Sequence, residues 1–177
     1  MTDTATGPVN AAELANALTA AMPALSNTAA AATGLILWHE TWINRIAAVT
    51  SPRGTLDPDT WPGLADCVFL ERDGDGTLHA DLNVTSLHEF LQRGDAAYSS
   101  TERALVAIAS SLYSGQPVDL RAHLPGLGAV NTAAVMHAIA VATGHGEDHA
   151  SLVEDAEERV RAARPDWLAD AVAESAP

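Results

Sequence analysis

The sequence predicts an α+β fold that is predominantly helical, with about six to seven helices and one β-hairpin near residues 67–84. Three observations carry this. Apolar residues recur at spacings of three and four along most of the chain, which is the period of a helix with one buried face. The clearest departure is at 77–84, where Leu78, Ala80, Leu82 and Val84 alternate with Thr77, His79, Asp81 and Asn83, as in a half-buried strand. Between that segment and the apolar run Cys67-Val68-Phe69-Leu70 stands Asp73-Gly74-Asp75-Gly76, whose residue types suit a tight turn.

Taken in order, residues 1–10 read as a disordered tail and 11–50 as an N-terminal helical arm. Within the arm, 11–22 is helix-prone, with Leu14 and Leu18 one turn apart, and Pro23 ends it. A second helix starts between Ser26 and Thr33 and is strongest over 35–49. There Leu35, Trp38, Trp42, Ile46 and Val49 make one continuous stripe. Residues 51–63, rich in Pro, Gly, Ser and Asp, read as a linker loop, and 64–177 as the main α+β domain. After the hairpin, 86–93 is a short helix capped by Thr85 or Ser86 and stopped by Gly94. Ser99 and Glu102 form a capping box for a helix carrying Leu105, Ile108 and Leu112, and Gly115 closes it. A turn and short helix over 117–124 precede a helix over 130–143, with Val135, Ile139 and Ala142 on one face and Gly144 at its end. Helices over 147–163 and from Pro165 to Val172 complete the reading.

At 177 residues the chain suffices for one domain with a core. Apolar residues make up 47% and aromatics only 5%, so alanine supplies much of the interior. Net charge is −14, and every basic residue is arginine, as suits a GC-rich bacterial or phage genome. Such a charge repels phosphate backbones and anionic membranes, so neither direct nucleic-acid nor membrane binding is expected. The arginines at 159, 161 and 164 follow a run of acids and suit a helix macrodipole. The stretch 14–38 lacks charge, but Pro23 and several Ser, Thr and Asn residues interrupt it. The lone Cys67 lies in an apolar run and reads as a core residue in a reducing, cytoplasmic setting.

Residues 71–82 (ERDGDGTLHADL) resemble a calcium loop in spacing: Glu71, Asp73, Asp75, Gly76 and Leu78 occupy positions 1, 3, 5, 6 and 8. Position 12 is Leu82, so the bidentate carboxylate is missing. The hairpin reading has no such gap. It pairs Val68 with Leu82, Leu70 with Ala80, Arg72 with Leu78 and Glu71 with His79, and it puts Gly76 in the left-handed region.

Three further clusters invite chemistry. His145, Glu147 and His149 are the candidate metal ligands, but the glycines around His145 place it before a helix, and the spacing matches no zinc motif. His39 and Glu40 form an acid–base pair without a visible nucleophile. His88, His123 and His137 stand isolated. No Gly-rich phosphate loop or nucleophile elbow is present. Trp38, Trp42 and Ile46 are the interface candidates, because paired tryptophans on an amphipathic helix serve as core or as partner anchors.

The expectation is a small acidic protein, not an enzyme, with no cofactor. It would act through a protein partner or self-association as an adaptor, regulator or assembly component. The alternatives are an acidic nucleic-acid mimic that inhibits a DNA- or RNA-binding protein, and a metal-dependent hydrolytic enzyme using the 145–149 cluster.

Overall fold

Caps and breakers set the order of elements in the computed structural model, which describes residues 9–49, 63–94 and 98–146. Asn10 opens α1 (Ala11–Ala21) by accepting the Glu13 N–H at 2.9 Å. Pro23 sits in a following 3-10 turn and prevents continuation. Ser26 caps α2 (Asn27–Trp38) through its hydroxyl. Then come α3 (Thr41–Ala48), strands β1 (Val68–Arg72) and β2 (Leu78–Leu82), and α4 (Val84–Arg93). The described chain ends with α5 (Ser100–Ser114), α6 (Leu120–His123) and α7 (Gly128–Ala142). This is a predominantly helical α+β fold: seven α-helices and one two-stranded antiparallel sheet among the described residues. The uncharged stretch 14–38 is divided between α1 and α2, of 11 and 12 residues. No helix among the described residues is long and apolar enough to cross a membrane.

The hairpin follows the predicted register throughout: Val68↔Leu82, Leu70↔Ala80, Glu71↔His79 and Arg72↔Leu78. Its turn is closed by Gly76 N–H donating to Asp73 O at 2.9 Å, with Gly76 at φ +90°. The inner face carries Val68, Leu78, Ala80 and Leu82, all buried, and α1 lies across β2. Arg72 shares that face and is accommodated by an ion pair to Glu13 of α1 at 2.6 Å, while also donating to Gly76 O. The hydrogen bond from Arg72 lowers the Glu13 pKa, against the opposing effect of burial. Glu71 and His79 are cross-strand neighbours, but the imidazole reaches the turn instead, with Nε2 2.7 Å from Asp73 Oδ2.

One buried cluster runs through the molecule, from Val9 and Leu14 through Trp42, Phe90 and Leu105 to Ala138. Residues on both sides of the 51–63 segment contribute to it, from Val9 to Val49 and from Leu64 to Ala138. Central in this packing is α2, which lies against both α5 and α7, with α4 against α5 and α1 against α3. Its position explains why Ala31, Ala32, Thr33, Leu35 and Ile36 are buried on several sides at once. Val9 is buried and Asn10 caps α1, although the sequence places both in the tail.

Three expectations are corrected. The helix over 35–49 is not continuous: His39, at φ −94° and ψ 77°, interrupts it, and α3 starts afresh at Thr41. The break resets the helical phase, so Trp38 and Trp42 do not share a stripe. Trp42 is fully buried and Trp38 is 55% exposed. The cap of α4 is Asn83, whose Oδ1 accepts the Ser86 N–H at 3.0 Å, so the helix begins two residues before Ser86. On α7 the buried residues are Ala134, Val135, Ala138 and Ala140, whereas Ile139 is exposed. This helix is apolar on most sides, so periodicity alone could not select its inner face. Packing against α2 selects it, with Ala134 and Ala138 turned towards Ala31 and Gly34 along the same groove. The helices expected at 147–163 and 165–172, and nearly all of the loop at 51–63, lie outside the described residues.

Candidate functional site

The break at His39 positions the most distinctive surface feature. Because α2 ends at Trp38 while α3 turns inward, the Trp38 indole remains at the edge of a groove between α2 and α7. The groove encloses about 580 Å³. Its floor is made of small residues: Ala30, Ala31 and Gly34 from α2, and Ala133, Ala134 and Ala138 from α7. Leu35, Leu37, Val141 and Met22 add apolar wall, and among the described residues His137 is the sole titratable one lining it. No described carboxylate lines it. Val130, Met136 and Ile139 extend apolar exposure along the outside of α7, at 68, 50 and 42%. A face of this kind is suited to a helix surface.

The other two interface candidates are core residues. Trp42 and Ile46 are completely buried. Trp42 stacks at a tilt on Tyr98 with centroids 5.0 Å apart. The Arg45 guanidinium lies over both rings, at 5.3 and 5.1 Å, and pairs with Glu102 Oε1 at 3.2 Å. Glu102 is only 6% exposed. Burial disfavours its charge, but the Ser99 hydrogen bonds and Arg45 outweigh that and hold its pKa below the ordinary glutamate value. One carboxylate thus serves the capping box of α5, with Ser99 N–H donating to Oε2 at 2.6 Å, and ties α3 to α5.

A second, polar pocket lies among α4, α5 and α6. His88 and Gln92 are one turn apart on α4, Arg103 and Ala107 one turn apart on α5, and His123 ends α6. Together with Leu91 they enclose about 200 Å³. Sequence reasoning left His88 and His123 isolated. The available signal was the i, i+4 pairing of His88 with Gln92 on the polar side of an amphipathic helix. The 34 residues between the two histidines hid the rest.

The remaining candidates do not assemble. His145 follows α7, is exposed, and its backbone N–H donates to Ala140 O, while Glu147 and His149 lie outside the described residues. No group of three or more His, Cys, Asp or Glu among the described residues is placed to hold a metal ion. His39 and Glu40 form the α2–α3 junction rather than one face of a helix. Cys67 is fully buried, its thiol donates to Gly63 O at 3.3 Å, and burial pushes its pKa up to about 12. That makes it unreactive as a nucleophile. No family model, curated protein or solved structure matches this chain.

Proposed function

We propose that this is a small acidic assembly protein that works through protein contacts rather than catalysis, and that the α2–α7 groove is the contact surface, occupied by a second copy of the chain. The observation carrying this is the uncharged apolar groove with Trp38 at its edge. Two chains of net charge −14 repel one another over most of their surface. That repulsion is screened beyond about 8 Å at physiological salt, so close approach is most favourable over a face without carboxylates. Two copies related by a twofold axis would bring α2 and α7 of each against the same helices of the other, an isologous four-helix contact. The small residues of the floor let helices approach closely, and Trp38 supplies a large anchor.

Analytical ultracentrifugation from low to high micromolar concentration tests this. The expected result is a concentration-dependent dimer, weakened by roughly thirtyfold or more in Trp38→Glu. A monomer at all concentrations overturns the reading, as does a dimer indifferent to Trp38→Glu. So would a monomer in which Trp38 resists acrylamide quenching, read by difference against Trp38→Phe, because another segment of the same chain would then cover the groove.

A further inference from the structure

We propose that the pocket formed by His88, Gln92, Arg103 and His123 binds a small tetrahedral oxyanion of the phosphate class. It lies on α4, α5 and α6, away from the α2–α7 groove, and stands independently of the reading above.

The chemistry of its lining points in one direction. A guanidinium, two imidazoles and a carboxamide supply hydrogen-bond donors, and Leu91 and Ala107 supply the apolar remainder. No carboxylate among the described residues lines this cavity. Among the described arginines, Arg45 pairs with Glu102 and Arg72 with Glu13, whereas Arg93, Arg103 and Arg121 make no carboxylate pair among the described residues. Arg103, His88 and His123 have no carboxylate within ion-pair reach among the described residues. Three potential cations thus gather around one space, with no direct ion pair to a carboxylate among the described residues. Metal ligation does not fit this set, since a guanidinium repels a cation and only two of the residues are metal ligands.

The hydrogen bonding suits an incoming anion. The Gln92 amide nitrogen lies 3.1 Å from His88 Nε2, so Gln92 donates and this imidazole nitrogen accepts. His88 Nδ1 is buried and has no hydrogen-bond partner. Burial, and then the charge of His123, lower the His88 pKa, while Glu89 opposes them. A bound dianion reverses the balance: it favours protonation of both imidazoles, and turning the Gln92 carboxamide presents its oxygen to the imidazolium. The groups facing His88 are Glu89 on its own helix, Arg103 on α5, and Asp119 and His123 at either end of α6. Glu89 and Asp119 line an adjoining, larger space that shares His88, Gln92, Ala107 and His123 with this one. Two carboxylates beside the site disfavour a polyanion such as nucleic acid relative to a compact ligand. The pocket volume equals that of about six or seven waters at roughly 30 Å³ each, enough for a phosphoryl group with some solvent.

The test is side-chain NMR of the histidines in the full-length protein. Inorganic phosphate is titrated at neutral pH and constant ionic strength, with sodium chloride as control and glycerol phosphate as a monoester probe. The expected result is that His88 and His123 shift together and saturably, that both midpoints move to higher pH, and that Arg103→Gln weakens binding at least tenfold. Arg103 is exposed, so this variant keeps the core, which the unperturbed resonances of the other histidines verify. Tighter binding of glycerol phosphate assigns a phosphorylated metabolite, and equal binding assigns the free ion; either supports the site. No shift beyond the chloride control, a shift unchanged in Arg103→Gln, or tighter binding of acetate than of phosphate overturns it.

Discussion

Glu102 illustrates how a charge is retained in an alanine-rich core. Its carboxylate accepts from Ser99 and faces Arg45, which in turn covers Trp42 and Tyr98. Its folded pKa is depressed, so the unfolded chain binds the proton first as pH falls. The stabilisation is therefore complete above the ordinary glutamate range and is lost as pH drops through the folded value. Glu102→Gln should cost about 1–2 kcal/mol at neutral pH, less than a fully buried pair because Arg45 is a quarter exposed. Urea denaturation should show the gap to the parent protein narrowing in mild acid, and a gap independent of pH would contradict this. The Ser99–Glu102 box was legible in the sequence because a cap is a local device, complete within four residues. Its link to Arg45 was not, since it joins helices far apart in the chain. The His88–His123 pocket was hidden for the same reason.

At the scale of elements, local rules worked where one register satisfied every constraint. In the hairpin, turn chemistry and alternation demanded the same pairing, and the missing bidentate ligand at Leu82 removed the calcium alternative. Gly76 bears the conformational cost: at φ +90° with nothing near its missing Cβ, Gly76→Ala should destabilise through backbone strain alone, by about 1–2 kcal/mol. Thermal denaturation with unchanged hairpin chemical shifts would register this, and a neutral substitution would argue against the left-handed turn. The α4 cap was misplaced because Asn83 also fits the end of the alternating strand pattern. Asn83→Ala should cost about 1 kcal/mol and Thr85→Ala clearly less. Equal losses would return the cap to the later position. Periodicity failed where it assumed an unbroken helix: neither Gly nor Pro marks the break at His39, and it follows from packing Trp42 inward against Tyr98.

At the scale of the whole molecule, the described core centres on α2, and the uncharged groove beside Trp38 and the pocket among α4, α5 and α6 lie around it. The sequence singled out Trp38 and Trp42 together, and the fold separates their roles. Trp42 is part of the core that sets the angle between α2 and α3, and Trp38 is left at the groove. Composition foreshadowed the close packing of α2 on α7, because alanine and glycine let helices approach. It could not indicate which side of α7 would stay open, since apolar residues occupy most of its circumference. The central claim is that this open side receives a second copy. Sedimentation equilibrium of the parent protein and Trp38→Glu, at matched concentrations and physiological salt, addresses it most directly. A reversible dimer that Trp38→Glu dissociates is predicted, and a parent protein that remains monomeric at high micromolar concentration would contradict it.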